Sequence, residues 1–143
     1  LVSVIGISSY FLFKDKINLL DVDHSAVDWN GKKQKDTSGE ENTIAIPGFE
    51  KVTLYANETT QAVNFHNPEI NDCYFKISLI HPDGSVLWIS DLIEPGKGMY
   101  SIELEKTLAV GEYENAVLKY ECFSLNDQSP LNGSEINLKL VVV

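Results

Sequence analysis

From Thr43 to the end of the chain, apolar residues recur at every second position in short runs, and turn-forming residues break those runs at regular intervals. A period of two places successive side chains on opposite faces of a strand. The runs fall at Thr43–Ile46, Lys51–Ala56, Thr60–His66, Asp72–Ile80, Ser85–Ile89, Met99–Leu104, Gly111–Phe123 and Glu135–Val143. Pro47-Gly48, Asn67-Pro68, Pro82-Asp83-Gly84 and Pro95-Gly96 punctuate them. No run has a convincing helical period and no internal repeat stands out. Short strands spaced by turn signals about 8 to 12 residues apart predict an all-β domain over 43–143, a single antiparallel sandwich of seven to eight strands.

Alternation also predicts the buried faces. Val63 and Phe65 share one face, and so do Cys73, Phe75, Ile77 and Leu79 on the next long run. Tyr100, Ile102 and Leu104 follow, then Ala116, Leu118, Tyr120 and Cys122, and finally Ile136, Leu138, Leu140 and Val142. Polar residues fill most alternate positions, as where one face packs and the other is wet. The run Val86-Leu87-Trp88-Ile89 is apolar on both faces, so its pattern leaves open which side carries Trp88 inward. His81-Pro82-Asp83-Gly84 predicts a tight hairpin, since Pro and Asp suit a type I turn and Gly the left-handed residue after it.

The first 42 residues have a different character. Leu1–Phe13 carries no charge and is followed at once by Lys14, Asp15 and Lys16. A membrane span needs about 20 apolar residues. The chain opens on Leu rather than Met, so residues upstream are expected, and 1–20 is expected to be the outer part of an uncleaved transmembrane anchor. A cleaved signal peptide and a soluble element are the alternatives; Phe11-Leu12-Phe13-Lys14 lacks the small residues of a cleavage site. Residues 21–42 are rich in charge, Ser, Gly and Asn, which predicts a flexible polar linker. The expected location is the cell membrane, single-pass, with the C-terminal domain outside.

Charge narrows the partners. Lys plus Arg number 11 against 21 Asp plus Glu, a net charge of −10, and every basic residue is lysine. Phosphate neutralisation by basic residues is the main source of nucleic-acid affinity, so a nucleic-acid partner is not expected. Membrane contact is expected through the anchor only, because an acidic domain is repelled by anionic lipid. Asp21, Asp23 and His24 lie close together, but no further ligands follow at metal-site spacing, and His66 and His81 fall on a strand end and a hairpin. No P-loop, G-x-S-x-G or H-E-x-x-H pattern occurs. No catalytic residue, cofactor or metal ligand is expected.

Leu108-Ala109-Val110-Gly111-Glu112-Tyr113 has the form L-x-x-G-x-Y just before a long strand. It resembles the tyrosine corner of immunoglobulin-like and fibronectin type III domains. The resemblance implies that Tyr113 is a structural corner residue and that Gly111–Phe123 is the sixth strand. The cysteine that antibody domains place two residues later is Asn115 here, and the third-strand tryptophan is missing. In such a sandwich the third and sixth strands are antiparallel neighbours, which implies Cys73 opposite Cys122, Phe75 opposite Tyr120, Ile77 opposite Leu118 and Leu79 opposite Ala116. Cys73 and Cys122 are then either a disulfide or two adjacent buried thiols.

Over Ile44–Val143 the chain resembles the small membrane-tethered immunoglobulin-like proteins of Gram-positive bacteria. The likeness rests on I-P-G-F-E (Ile46–Glu50), the P-D-G hairpin, L-I-E-P-G (Leu92–Gly96), L-x-x-G-x-Y and the terminal strand. It implies a surface location and an accessory or adhesive role. The leading expectation is a non-enzymatic binding or scaffolding module that engages a surface or membrane protein. The alternative is a carbohydrate-binding module for cell-wall or host glycans. The loop Ser124–Ser134, with Asn126, Asp127 and Asn132, is the first candidate contact surface, and Trp88 the candidate aromatic.

Overall fold

The alternating runs become strands because each buries one row of apolar side chains and leaves the other row wet. The computed structural model describes residues 20–29, 46 and 50–143. Within them lie β1 (Val27–Asp28), β2 (Lys51–Leu54), β3 (Thr60–His66), β4 (Cys73–Ile80), β5 (Val86–Ile89), β6 (Lys97–Glu103), β7 (Gly111–Ser124) and β8 (Pro130–Val142). They form two sheets, β1-β6-β3 and β2-β8-β7-β4-β5, which is the arrangement of a β-sandwich. Neighbouring strands are antiparallel except β2 and β8, which run parallel. Thr43 to Ala45 of the expected strand Thr43–Ile46 and the expected anchor up to Leu19 lie outside the described residues, while Ile46 is described and packs against the core. Among the described residues no helix is long and apolar enough to cross a membrane.

The core lies between the sheets. Phe75, Ile77 and Leu79 of β4, Leu118 and Tyr120 of β7, and Leu140 of β8 are shut off from solvent and face Phe65, Met99 and Ile102 of the smaller sheet. Each such side chain contributes about 1.5–3 kcal/mol by leaving water. Trp88 closes the core from β5, its ring 5.7 Å from that of Phe65 across the sheets. Gln61 bonds the Tyr55 amide and the Tyr55 and Glu58 carbonyls at 2.8 Å, which pins the β2–β3 turn.

The inward faces follow the expected alternation except on β6, where Met99 is buried and Tyr100 points outward. A bulge between Ala62 and Phe65 shifts the β3–β6 register and breaks the parity there. The β4–β7 register also differs from the expected one. Phe75 lies opposite Cys122, Ile77 opposite Tyr120, and Leu79 opposite Leu118, so Cys73 faces Ser124. The slip is two residues, which leaves every side chain on its expected face.

Candidate functional site

Residues 20–29 were expected in the anchor and linker, yet they lie against one pole of the sandwich. Val22 bridges Leu92, and the Asp23 amide donates to the Leu92 carbonyl at 2.7 Å. The Asp23 carboxylate accepts from the Asp91 amide at 3.0 Å. β1 then adds to the edge of β6, Val27 opposite Gly98. Trp29 ends the segment, stacked on His66 at 3.8 Å and 6° and donating its indole N–H to Asn64 Oδ1 at 2.5 Å. Backbone pairing, the Trp29 ring and Ala26 packed on the core hold this segment, whose only strand signals are the short alternations Leu20–Asp23 and Val27–Trp29.

Gly98 makes that seat. A Cβ there would stand 2.7 Å from the Phe65 carbonyl oxygen and 2.9 Å from Trp29 Cδ1. At its other end the strap meets the turn between β7 and β8. Leu20 donates its amide to Gln128 Oε1 at 2.5 Å and accepts from Gln128 Nε2 at 3.2 Å, a two-point amide pair. Gln128 holds this position with φ at 57°, a left-handed conformation that non-glycine residues seldom adopt. Nearby, Asn67 is fully buried and donates to the Cys73 and Ile93 carbonyls at 2.8 and 2.9 Å, tying the end of β3 to the start of β4.

The β7–β8 hairpin shares this pole. The expected loop 124–134 is shorter: strand pairing resumes at Pro130 opposite Phe123, and the turn is Leu125–Ser129. Asn126 and Asp127 are exposed within the turn, and the Asp127 carboxylate is held below its usual range by Ser129, whose amide donates to it at 3.0 Å. Asn132 lies on β8 in a bulge opposite Tyr120–Cys122. Its neighbour Gly133 approaches so closely that a Cβ would meet the Tyr120 carbonyl oxygen at 2.3 Å. The sequence Pro-Leu-Asn-Gly-Ser read as loop because the bulge that lets it pair is a tertiary feature.

Beside that bulge the hairpin carries an open groove of about 570 Å³, walled by Lys119, Glu121, Phe123, Pro130, Leu131 and Glu135. Lys119 and Glu121 pair at 3.6 Å along one wall. Leu131 is 43% exposed, and Tyr74, Phe123 and Pro130 form one row across β4, β7 and β8. Among the described residues β2 covers β8 only from Lys139 onward, so the edge from Pro130 to Leu138 has no strand beside it. An apolar row beside a charged wall makes a surface suited to an extended chain.

The remaining candidates lie elsewhere. Trp88 is 7% exposed and belongs to the core, so it offers no platform to a sugar ring. Tyr113 donates its hydroxyl to the Ala109 carbonyl at 2.8 Å, at the pole opposite the groove. Cys73 and Cys122 are buried free thiols joined by a hydrogen bond. That bond and burial push the Cys122 thiol above its ordinary range, while the same bond lowers Cys73. Tyr120 is buried with no hydrogen-bond partner for its hydroxyl among the described residues. Among those residues no three His, Cys, Asp or Glu side chains stand close enough to share a metal ion.

Compared with protein families, curated proteins and solved structures, the chain has no significant match. What the geometry offers is a surface for an extended ligand, together with a strap that joins the N-terminal segment to the same pole.

Proposed function

We propose that the chain is a non-enzymatic binding module of the immunoglobulin-like kind, tethered to the outer face of a cell membrane, and that its β7–β8 groove holds a protein partner. The observation that carries this reading is the groove itself, with exposed Leu131 and Pro130 beside Phe123 and the Lys119–Glu121 pair along one wall. Apolar side chains set along a groove beside charged groups suit an extended polypeptide, whose alternate side chains can enter it. The immunoglobulin-like assignment is supported by the Tyr113–Ala109 hydrogen bond, by β7 as neighbour of both β4 and β8, and by β2 running parallel to β8. The apolar sequence of Leu1–Phe13 supports the tether.

The glycan alternative has less support. Trp88 is in the core and Trp29 is stacked on His66, and of the exposed tyrosines Tyr55 follows β2 of the larger sheet while Tyr100 lies on β6 of the smaller one. A photocrosslinking residue at Leu131, introduced into the protein in living cells, tests the proposal. The expected result is a reproducible protein adduct that is lost in Phe123→Ala and absent when the probe sits at Val110 on the far pole. Capture of polysaccharide without protein would move the reading to glycan binding. Substrate turnover abolished by one carboxylate substitution would overturn the non-enzymatic assignment.

A further inference from the structure

Asn132 and Gly133 stand together opposite Glu121, because Tyr120 pairs with Ser134 and Cys122 with Leu131. Two residues of β8 thus face one of β7, and such a bulge interrupts the ladder where it lies. Both residues are exposed, and no side-chain hydrogen bond holds Asn132 among the described residues. Buried Asn67 and Asn71 differ: the first donates to the Cys73 and Ile93 carbonyls, and the second donates to Asn67. Among the described residues Asn132 is also the only asparagine followed by glycine. Elsewhere Glu58 follows Asn57, Ala116 follows Asn115, Asp127 follows Asn126 and Leu138 follows Asn137.

We propose that Asn132 is a modification site of the folded protein, where the chain converts its own asparagine to aspartate and isoaspartate with water as the only co-reactant. The backbone nitrogen of Gly133 gives up its proton and attacks Cγ of Asn132. The new C–N bond closes a succinimide ring, and the side-chain nitrogen leaves as ammonia. Water then opens the ring at either carbonyl. One opening leaves aspartate, and the other leaves isoaspartate, whose main chain runs through the former side chain. Glycine matters because a side chain on the attacking residue crowds the ring closure, and Gly133 has none. The bulge matters because ring closure needs the Asn132 backbone to leave the extended form, which an unbroken ladder opposes. Either product places a carboxylate opposite Glu121, where like charges across a ladder repel. Isoaspartate also lengthens the main chain beside Gly133, where a Cβ would already meet the Tyr120 carbonyl oxygen at 2.3 Å. Conversion therefore alters the β8 wall of the groove, and the chemistry does not depend on what the groove binds.

The test incubates the full chain at mildly alkaline pH, folded in buffer and unfolded in guanidinium. Peptide mass spectrometry follows each asparagine, and an isoaspartyl-specific methyltransferase labels the rearranged product. In the folded protein the Asn132 amide is expected to be lost first among the described asparagines, with both aspartate and isoaspartate formed. Asn57, Asn126 and Asn137 are equally exposed but lack a following glycine, and they are expected to keep their amides over the same period. Asn132→Gln, whose longer side chain closes the equivalent ring poorly, is expected to abolish methylation at that position while the protein still unfolds cooperatively. An Asn132 amide that survives in the folded chain after the unfolded chain has lost it would overturn the proposal, because the bulge then protects the site. Loss at Asn57, Asn126 and Asn137 as fast as at Asn132 would overturn it as well, since neither the glycine nor the bulge then decides the chemistry.

Discussion

Cys73 and Cys122 share one face of the β4–β7 ladder on a diagonal, because Cys122 lies directly opposite Phe75 and Cys73 opposite Ser124. Diagonal neighbours have α-carbons about 7–8 Å apart, whereas a disulfide tolerates about 4.4–6.8 Å. The thiols are close enough to hydrogen-bond and too far apart along the backbone to bridge without a shift. Purified under air, the folded protein is expected to remain a dithiol. Alkylation before and after unfolding checks this: no label should enter the native protein, and two labels should enter the unfolded one. A form that takes no label even when unfolded would show that the strands can move to close the bridge.

Gly98 is the seat of the strap, with Phe65 on one side and Trp29 on the other. Gly98→Ala places a methyl group where backbone already stands, an overpacking that costs about 1–3 kcal/mol. The expected result is a fall in melting temperature of several degrees together with loss of the Trp29–His66 stack, seen as a change in tryptophan emission. Gly96→Ala also costs stability because φ there is +82°, but its Cβ would meet nothing nearer than 3.7 Å, so the stack is expected to survive and the pair of variants separates loss of the seat from backbone strain.

The Tyr113 hydroxyl makes one hydrogen bond, to the Ala109 carbonyl, while its ring packs against the core. Tyr113→Phe keeps the ring and removes the bond, so a loss of about 0.5–1.5 kcal/mol is expected in urea unfolding. Tyr120→Phe should go the other way. Its hydroxyl is buried without a partner among the described residues, and an unpaired buried hydroxyl costs about 1–3 kcal/mol. Removing it is expected to raise stability by about 1 kcal/mol, and a clear loss would reveal a partner beyond those residues.

At the turn between β4 and β5, Asp83 accepts from the Ser85 hydroxyl at 2.6 Å and the Ser85 amide at 2.8 Å, with His81 and Lys106 adding favourable charge. These bonds hold its carboxyl at about 2, below the ordinary 3.8. The folded value is depressed, so the stabilisation is fully present above pH 3.8 and is lost as the pH falls through 2. A carboxyl NMR titration should find the low midpoint, and Ser85→Ala should move it back towards the ordinary value. An Asp83 midpoint near 3.8 in the unaltered protein would contradict the turn geometry.

Strands, turns and most inward faces were legible in the sequence because alternation and turn chemistry are local. Cys73, Phe75, Ile77 and Leu79 face inward whatever lies beside them. The β4–β7 register was not legible, because a slip of two residues preserves every face and alternation cannot detect it. Tyr100 was assigned inward for a related reason: the bulge at Ala62–Phe65 that turns it outward belongs to the pairing of two strands.

The strap and the groove came from the tertiary structure alone. Within residues 20–29 the alternations Leu20-Asp21-Val22-Asp23 and Val27-Asp28-Trp29 are too short to stand out from an acidic linker, and the segment binds through main-chain groups, Trp29 and the side chain of Gln128, 108 positions from Leu20 in sequence. Pro130–Ser134 has turn composition but pairs with β7 because Gly133 lets the two backbones meet. The sequence by itself determined an all-β domain, its acidic surface and an apolar N-terminal run, since these depend on composition and period. Which residues stand opposite one another, and which pole the N-terminal segment joins, depend on contacts between distant parts of the chain, and only the packed sheets decide them.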